Sequence, residues 1–199
     1  MTKTRRILAV TLCLAAVTLI MTSCFGDDTT DTITEEQMRT SIASMAGTYD
    51  GSLFTGVIQN NMLTQTDSLG SQKWAADNNK ITFAEFPASQ LAKGVTDADI
   101  KKALEASEEM IKLEAYYYSF SSISAPYQFT LAPQTATVSV EYNGGTHELK
   151  FPFYQGGYSY GVGNMTTQTL QLVAAGMYVD GRHSSYFTEM AIIYTGKKI

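Results

Sequence analysis

The feature that most constrains the fold is a run of alternating side chains on each side of a short turn. The larger or more apolar side chains take every second position in residues 135–142 and again in residues 146–153. Because side chains on a strand point alternately to its two faces, each run predicts a strand with one buried face. Asn143, Gly144 and Gly145 lie between the runs and tolerate positive φ, so the sequence predicts an antiparallel hairpin.

The same alternation recurs along much of the chain. Residues 62–66 are a further candidate strand, and Asp180-Gly181 is expected to join the last two long strands. About eight or nine strands with regularly spaced turns predict a mainly β fold, either an antiparallel barrel or a β-sandwich. The other predicted strands are 48–58, 74–76, 81–86, 111–118, 127–131, 168–179 and 187–194.

Two short helices are predicted from their starting signals. Thr34 is followed three residues later by Gln37, which forms a capping box, and Gly47 is expected to end this helix. A second capping box begins at Thr96, and it explains Asp97 and Asp99 without a metal ion. Both helices have one narrow apolar stripe, which is typical of helices that cover a sheet.

The amino terminus has the layout of a secretory signal. Three basic residues within the first six precede an uncharged apolar run, residues 7–20, which is shorter than the roughly 20 residues of a membrane-spanning helix. Met21-Thr22-Ser23-Cys24 resembles a bacterial lipobox, in which the peptide is cleaved before the cysteine and the cysteine carries lipid. The alternatives are an ordinary cleaved signal and an uncleaved anchor. We expect a signal peptide at 1–23, a lipidated, acidic leash at 24–33 and a single β-rich domain at 34–199.

Charge and cysteine content exclude several classes of protein. The formal net charge is −5, and the first 23 residues carry three basic and no acidic side chains, so the remainder has a net charge of −8. Binding to nucleic acid requires a basic surface for the phosphates, so we expect no nucleic-acid partner. Cys24 is the one cysteine of the expected mature chain, which leaves no intrachain disulfide.

Three segments together resemble a known family: the lipobox, the acidic leash and Met45–Leu53. The family consists of Bacteroidetes-type lipoproteins of similar length that are classed as a domain of unknown function. The resemblance implies an outer-membrane lipoprotein anchored through Cys24. Acidic residues soon after Cys24 resemble a surface-export signal, and a solvated linker is the alternative. Gly47-Thr48-Tyr49 is also similar to the Gly-x-Trp signature of lipocalins, with Tyr49 in place of Trp, which implies a lipocalin-like barrel.

The search for catalytic or metal-binding residues gives little. His183 has Asp180 and Ser184 close by in sequence, but neighbouring side chains in an extended segment point to opposite sides. His147 shares a face with Leu149, and we expect it at the edge of the core. We therefore predict no catalytic residues, no metal ligands and no cofactor.

Tyrosines provide the candidate binding residues. Tyr154, Tyr158 and Tyr160 lie in or beside Gly156–Gly163, a glycine-rich segment that we expect to be flexible. Exposed aromatic rings with hydroxyl groups suit the apolar faces of sugars and the surfaces of partner proteins. Tyr116 and Tyr118 share one face of a predicted strand, which we expect to meet solvent, a helix or a ligand. The alternative is that the tyrosines of the glycine-rich segment pack onto one end of a barrel.

These observations predict a lipid-anchored, non-catalytic domain of the cell envelope. It would bind a glycan, an apolar small molecule or an envelope protein through an aromatic-rich β surface. The alternatives are a hydrolase that uses His183 or His147 and a structural subunit of an envelope complex.

Overall fold

A computed structural model describes residues 33–199 of the chain. The predicted signal peptide and Cys24 lie outside the described residues, so the expectations for them stay predictions. The helices are α1 Glu35–Met45, a 3-10 helix Ala88–Gly94 and α2 Ala98–Glu105. The strands are β1 Gly47–Gln59, β2 Met62–Ala76, β3 Lys80–Pro87, β4 Met110–Ser122, β5 Tyr127–Pro133, β6 Ala136–Tyr142, β7 Gly145–Phe151, β8 Gly156–Gly163, β9 Thr167–Ala174, β10 Met177–Val179, β11 Arg182–Ser184 and β12 Met190–Lys198.

Eight of these strands close into an antiparallel barrel in the order β1-β12-β9-β8-β5-β4-β3-β2. Barrel neighbours follow one another along the chain except where a hairpin is inserted: β6–β7 between β5 and β8, and β10–β11 between β9 and β12. The two inserted hairpins pair through β7 and β10 and form a second, four-stranded sheet. The prediction of a mainly β fold is therefore confirmed. The eight-stranded up-and-down barrel is the architecture that the resemblance to lipocalins implied.

Aromatic side chains fill the inside of the barrel. We call Tyr49, Trp74, Phe83 and Tyr194 the aromatic column, because their rings follow one another in contact. The Trp74 ring centroid lies 5.5 Å from those of Tyr49 and Tyr194, and the Phe83 and Tyr194 centroids are 4.2 Å apart. Burial raises the pKa of Tyr49 to about 12. This part of the barrel is a packed core.

The helices pack against the barrel through specific residues. Thr34 and Gln37 form the predicted capping box, and α1 buries Ile42 and Met45 in the core. The 3-10 helix is tied to β1 and β2 through Gln90. Its amide oxygen accepts a hydrogen bond from Thr55 Oγ1 at 3.0 Å, and its Nε2 donates to Asp67 Oδ2 at 3.3 Å.

The helix boundaries differ from the prediction by one or two residues. The first helix ends at Met45, and Ala46 is already extended, so Gly47 begins β1 and does not end the helix. The N-cap of α2 is Asp97 and not Thr96. Asp97 Oδ1 accepts hydrogen bonds from the amides of Asp99 and Ile100, both at 3.0 Å. An aspartate at this position satisfies two free amides of the first turn, which explains the shift.

Four predictions about strands and their connections are wrong in detail. Residues 62–66 are the start of the long strand β2 and not a separate strand. Residues 168–179 divide into β9 and β10, because the Ala175 amide donates to the Pro152 carbonyl and the chain then pairs with β7. Asp180-Gly181 consequently joins β10 to β11 instead of two long strands. The glycine-rich segment Gly156–Gly163, predicted to be flexible, is the barrel strand β8.

Over residues 33–199, no helix has the length and apolarity that crossing a membrane requires.

Candidate functional site

The predicted binding tyrosines lie on one side of the barrel. We call Tyr116, Tyr118, Tyr154, Tyr158 and Tyr160 the tyrosine surface. Tyr116 and Tyr118 belong to β4 and Tyr158 and Tyr160 to β8, and β5 pairs with both of these strands. Tyr154 stands in the connection from β7 to β8, where its amide donates to the Val173 carbonyl. The structure therefore places four of the five residues on the two strands that flank β5 and the fifth in the connection that leads to β8.

Tyr154 and Tyr158 form the contact at the centre of this surface. Their ring centroids are 4.9 Å apart, and Tyr158 is 63% exposed. Tyr154 Oη donates to Glu189 Oε1 at 2.5 Å, and this hydrogen bond to a carboxylate raises the pKa of Tyr154. Gln171 Nε2 donates to the Tyr158 carbonyl at 3.2 Å. The pair is thus an exposed ring, Tyr158, packed on a half-buried one, Tyr154, with hydrogen-bonding groups beside them.

The other three tyrosines contribute unequally. Tyr160 is half-buried, and burial raises its pKa to about 12. The Lys80 ammonium lies 5.8 Å from the centroid of the Tyr116 ring, and the same lysine binds Glu114 at 2.8 Å. Tyr118 is 66% exposed. Among the described residues, no ring contact joins Tyr116 or Tyr118 to the Tyr154–Tyr158 pair.

A concave site of about 660 Å³, which we call the rim pocket, lies between the second sheet and the start of α2. Asp97 and Ile100 of α2 form one side, and the β6–β7 hairpin forms another. The remaining wall comes from β10, β11 and the segment that follows them. The lining residues of the two hairpins and this segment are Tyr142, Asn143, His147, Val179, Asp180, Arg182, His183, Ser184, Ser185 and Tyr186.

Asp180 joins the two hairpins at the base of the rim pocket. Its amide donates to the Glu148 carbonyl at 2.9 Å, and its Oδ1 accepts from the Glu148 amide, also at 2.9 Å. The second carboxylate oxygen lies 2.7 Å from His147 Nδ1. Asp180 adopts a φ of +48°, a conformation that aspartate and asparagine tolerate better than most residues. One side chain therefore extends the β7–β10 pairing and orients the histidine.

Tyr142 packs on His147 inside the same pocket. Their ring centroids are 4.1 Å apart. Burial raises the pKa of Tyr142, and the negative charges of Asp180 and Asp97 raise it further. The hydrogen bond from His147, followed by that from the Glu148 amide, lowers the pKa of Asp180. The pocket therefore combines an aromatic wall with two carboxylates.

The two histidines do not form one catalytic set. Tyr178 and His183 share one face of the β10–β11 hairpin, whereas Val179 and Arg182 share the other. The His183 ring packs edge-on against Tyr178 with centroids 5.4 Å apart. His147 Nδ1 is hydrogen-bonded to the Asp180 carboxylate, as the histidine of a catalytic triad is to its aspartate. None of the hydrogen bonds within residues 33–199 joins a serine hydroxyl to either imidazole, and the Ser184 hydroxyl accepts from the Tyr186 amide.

The lowered pKa of Asp180 predicts a pH-dependent contribution to stability. A carboxyl group with a depressed pKa in the folded state stabilises the fold above its unfolded pKa of about 3.9, and this stabilisation is lost as the pH falls through the folded pKa. Asp180→Asn retains an oxygen acceptor and tolerates the positive φ but removes the charge. We expect the difference in melting temperature between wild type and Asp180→Asn at pH 5 to shrink toward pH 2. Circular dichroism melts measure it, and a constant difference over this range would contradict the prediction.

No group of three or more His, Cys, Asp and Glu side chains in the described part of the chain is arranged to hold a metal ion. The sequence identified His147 and the turn at Asp180 separately, but it did not identify the rim pocket. Its polar residues come from segments far apart in the chain, such as Asp97, Asn143 and Asp180. The sequence signal that could have indicated the rim pocket is the pair of turns Asn143-Gly144 and Asp180-Gly181. Each turn begins with a residue that adopts positive φ in the structure.

Comparisons with known proteins add a family but no activity. A family model described as a domain of unknown function (DUF4840) matches residues 44–179. No curated protein and no solved structure matches the chain. The expected assignment to a domain of unknown function is confirmed, whereas the Bacteroidetes-type and lipoprotein parts of the resemblance stay predictions.

Proposed function

The chain belongs to the DUF4840 family, a domain of unknown function, and we propose that its barrel is a non-catalytic binding domain held at a bacterial cell envelope by lipid on Cys24. The proposed location is the outer membrane. The acidic residues that follow Cys24 support export to the cell surface. We propose that these residues belong to a short polar leash, which would leave the barrel free to meet ligands away from the lipid.

The ring contact between half-buried Tyr154 and exposed Tyr158 is the observation that carries this proposal. Tyr158 belongs to a barrel strand, so its ring is held by a rigid scaffold and loses little freedom on binding. Glu189 and Gln171 place hydrogen-bonding groups beside the two rings. An aromatic platform with polar neighbours suits a glycan or the surface of an envelope protein.

The filled barrel argues against one of the expected ligand classes. An apolar small molecule held as in a hollow barrel needs free volume among the interior side chains. The aromatic column occupies this space, with Trp74 2% exposed and Tyr194 1% exposed. A glycan or an envelope partner bound on the outside is therefore the better proposal. The hydrolase alternative has one supporting observation, the His147–Asp180 hydrogen bond.

Lipidation is tested at the cysteine itself. In cells grown with radioactive palmitate, we expect label in the wild-type protein and none in Cys24→Ser, because the thiol is the attachment point. Cys13→Ser is the matched control and should be labelled like the wild type. Equal labelling of Cys24→Ser and wild type would refute the lipid anchor.

Binding through the tyrosine surface is tested on a printed glycan array. We expect Tyr154→Ala/Tyr158→Ala to lower retention at least tenfold, because exposed aromatic anchors contribute about 2 kcal/mol or more to an interface. The melting temperature of Tyr158→Ala alone should change by less than about 3 °C, since Tyr158 is exposed, whereas Tyr154→Ala also removes a half-buried ring and its hydrogen bond to Glu189. Tyr178→Ala, on the second sheet, is the control.

Two outcomes would contradict this proposal. Unchanged retention in the double variant would show that the pair binds no glycan. A large fall in the melting temperature would show that the tyrosines serve packing instead.

A further inference from the structure

The rim pocket has the size of a site for a small molecule. Its volume of about 660 Å³ falls within the roughly 300–1,000 Å³ that such sites occupy in proteins. It is formed by two inserted hairpins and α2, none of which is needed to close the eight-stranded barrel. Nothing in the barrel therefore requires the polar side chains gathered there.

The polar groups of the rim pocket include both donors and acceptors. Asp97 and Asp180 offer carboxylate oxygens, and Arg182 offers guanidinium donors. Asn143 and Ser185 can both donate and accept. A ligand that matches such a wall has groups that also do both, and hydroxyl groups meet this condition.

Aromatic rings stand among these polar groups. The Tyr142 ring packs on His147 with centroids 4.1 Å apart and an angle of 34° between the ring planes. Tyr186 is 53% exposed, and it also lines the pocket. Aromatic rings suit ligands that present apolar C–H faces between their polar edges.

The polar groups are held in place without a ligand. Asp180 is fixed by the Glu148 amide and His147, and Asp97 is fixed by the first turn of α2. The main chain of Tyr186 is fixed as well, because its amide donates to Ser184 Oγ and its carbonyl accepts from the Thr96 amide. A pocket that is already ordered loses less conformational entropy when it binds.

We propose that the rim pocket binds a neutral sugar, whose hydroxyl groups meet Asp97, Asp180, Asn143 and Arg182 and whose C–H face lies on an aromatic ring. This proposal deepens the proposed binding function and rests on it. It assigns the recognition of a sugar unit to the second sheet, away from the Tyr154–Tyr158 pair.

The charges of the rim pocket disfavour an anionic ligand, because a carboxylate or phosphate group would be repelled by Asp97 and Asp180. An ammonium group would be attracted by these two carboxylates and repelled by Arg182, so the glucosamine probe decides between a neutral and a cationic sugar. Arg182 also lies close enough to Asp180 to lower the pKa of that carboxyl. A neutral polyol forms hydrogen bonds with both signs of charge and adds no charge of its own.

The test is a titration of the ¹⁵N-labelled full chain followed by amide NMR spectra. The probes are glucose, galactose, mannose and N-acetylglucosamine, with glucuronate and glucosamine as charged counterparts. Gly144 and Gly181 report on the rim pocket, because they lie in the two turns at its edge, whereas Gly156 and Gly157 report on the tyrosine surface. We expect at least one neutral sugar to shift Gly144 and Gly181 with a Kd of about 1 mM or below.

Matched variants assign the binding to the pocket. Tyr186→Ala removes a wall but keeps both main-chain hydrogen bonds, and Asp97→Asn removes a carboxylate but keeps a good N-cap. Each should weaken the sugar at least tenfold. Asp99→Asn, in the first turn of α2 and outside the pocket wall, is the matched control and should leave the Kd unchanged.

Three outcomes would overturn the proposal. If the sugars shift Gly156 and Gly157 but not Gly144 and Gly181, the rim pocket is not the sugar site, although the binding function stands. If glucuronate or glucosamine binds more tightly than every neutral sugar, the ligand class is wrong. If no probe shifts Gly144 or Gly181 while the glycan array shows retention through Tyr154 and Tyr158, the pocket proposal fails alone, and a silent array separately refutes glycan binding by the tyrosine surface.

Discussion

Replacing Trp74 with alanine is expected to lower the free energy of unfolding by about 3–5 kcal/mol, as large-to-small substitutions of aromatic residues in cores do. Trp74 is 2% exposed and lies at the centre of the aromatic column, between Tyr49 and Tyr194. Its indole Nε1 also donates to Gln168 Oε1 at 2.9 Å. The variant therefore creates a cavity and removes the donor from a buried amide oxygen.

The neighbourhood of Trp74 limits how far the barrel can collapse onto the cavity. Gly196 packs against the indole so closely that a Cβ there would lie 2.5 Å from Trp74 Cη2. The strands on both sides are held by continuous pairing, β1 with β12 and β1 with β2. Residual cavity volume adds to the lost transfer free energy, so the upper part of the expected range applies.

Urea denaturation followed by far-ultraviolet circular dichroism measures this change. Trp74 is the single tryptophan of the chain, so intrinsic tryptophan fluorescence cannot compare the variant with the wild type. Tyr118→Ala removes an exposed aromatic side chain and should change the free energy of unfolding by no more than about 0.5 kcal/mol. A loss below about 1 kcal/mol for Trp74→Ala would show that the column is not the packed core described above.

The hairpin β6–β7 shows what the sequence can predict. Alternation fixed the faces of both strands, and Asn143-Gly144 fixed the turn, because both residues adopt positive φ there. Local signals were sufficient since the strands pair with their immediate neighbour in the chain. The start of α1 was predicted for the same reason, because its capping box lies within four residues.

Strand β8 shows where local signals fail. Its inward positions are Ser159, Gly161 and Gly163, which are small, so the alternation of large and small side chains that marks other strands is hidden. The space inside is filled from elsewhere, by Phe129 of β5 and Leu170 of β9. Gly161 and Gly163, which imply flexibility in a sequence, are here the positions where side chains from other elements pack against the main chain.

The rim pocket was beyond local prediction for a different reason. His147 and Asp180 lie 33 residues apart in sequence and meet because two inserted hairpins pair with each other. Pairing between separate hairpins depends on the whole barrel, so no local sequence pattern predicts it. Of the predicted tyrosines, Tyr154 and Tyr158 form a ring contact, whereas Tyr160 is half-buried on the same strand as Tyr158.

Gly161→Ala is expected to destabilise the protein by about 1–3 kcal/mol or more, because an added methyl group has no space there. A Cβ at Gly161 would overlap Cε2 and Cζ of Phe129 and lie 2.8 Å from Leu170 Cδ2. The Phe129 ring is itself packed against Tyr117 and Phe120, with centroids 5.2 and 5.4 Å away. It can yield only by disturbing a buried cluster.

Gly157→Ala on the same strand is the matched control, since a Cβ there meets no atom within 4 Å. It should change the free energy of unfolding by no more than about 0.5 kcal/mol, as exposed substitutions usually do. Equal losses for the two variants in urea denaturation would show that β8 needs glycine for its main-chain freedom and not for space.

A double variant separates crowding from other causes of instability. Phe129→Leu shortens the side chain that the new methyl group would meet, at the cost of a cavity when introduced alone. If crowding is the cause, Gly161→Ala/Phe129→Leu should be more stable than the sum of the single effects predicts, with a coupling free energy of about 0.5–3 kcal/mol, as for residues in contact. Additive effects would mean that Phe129 does not occupy the space beside Gly161. In that case, side chains of the neighbouring strands would not fill the space that the glycines of β8 leave open.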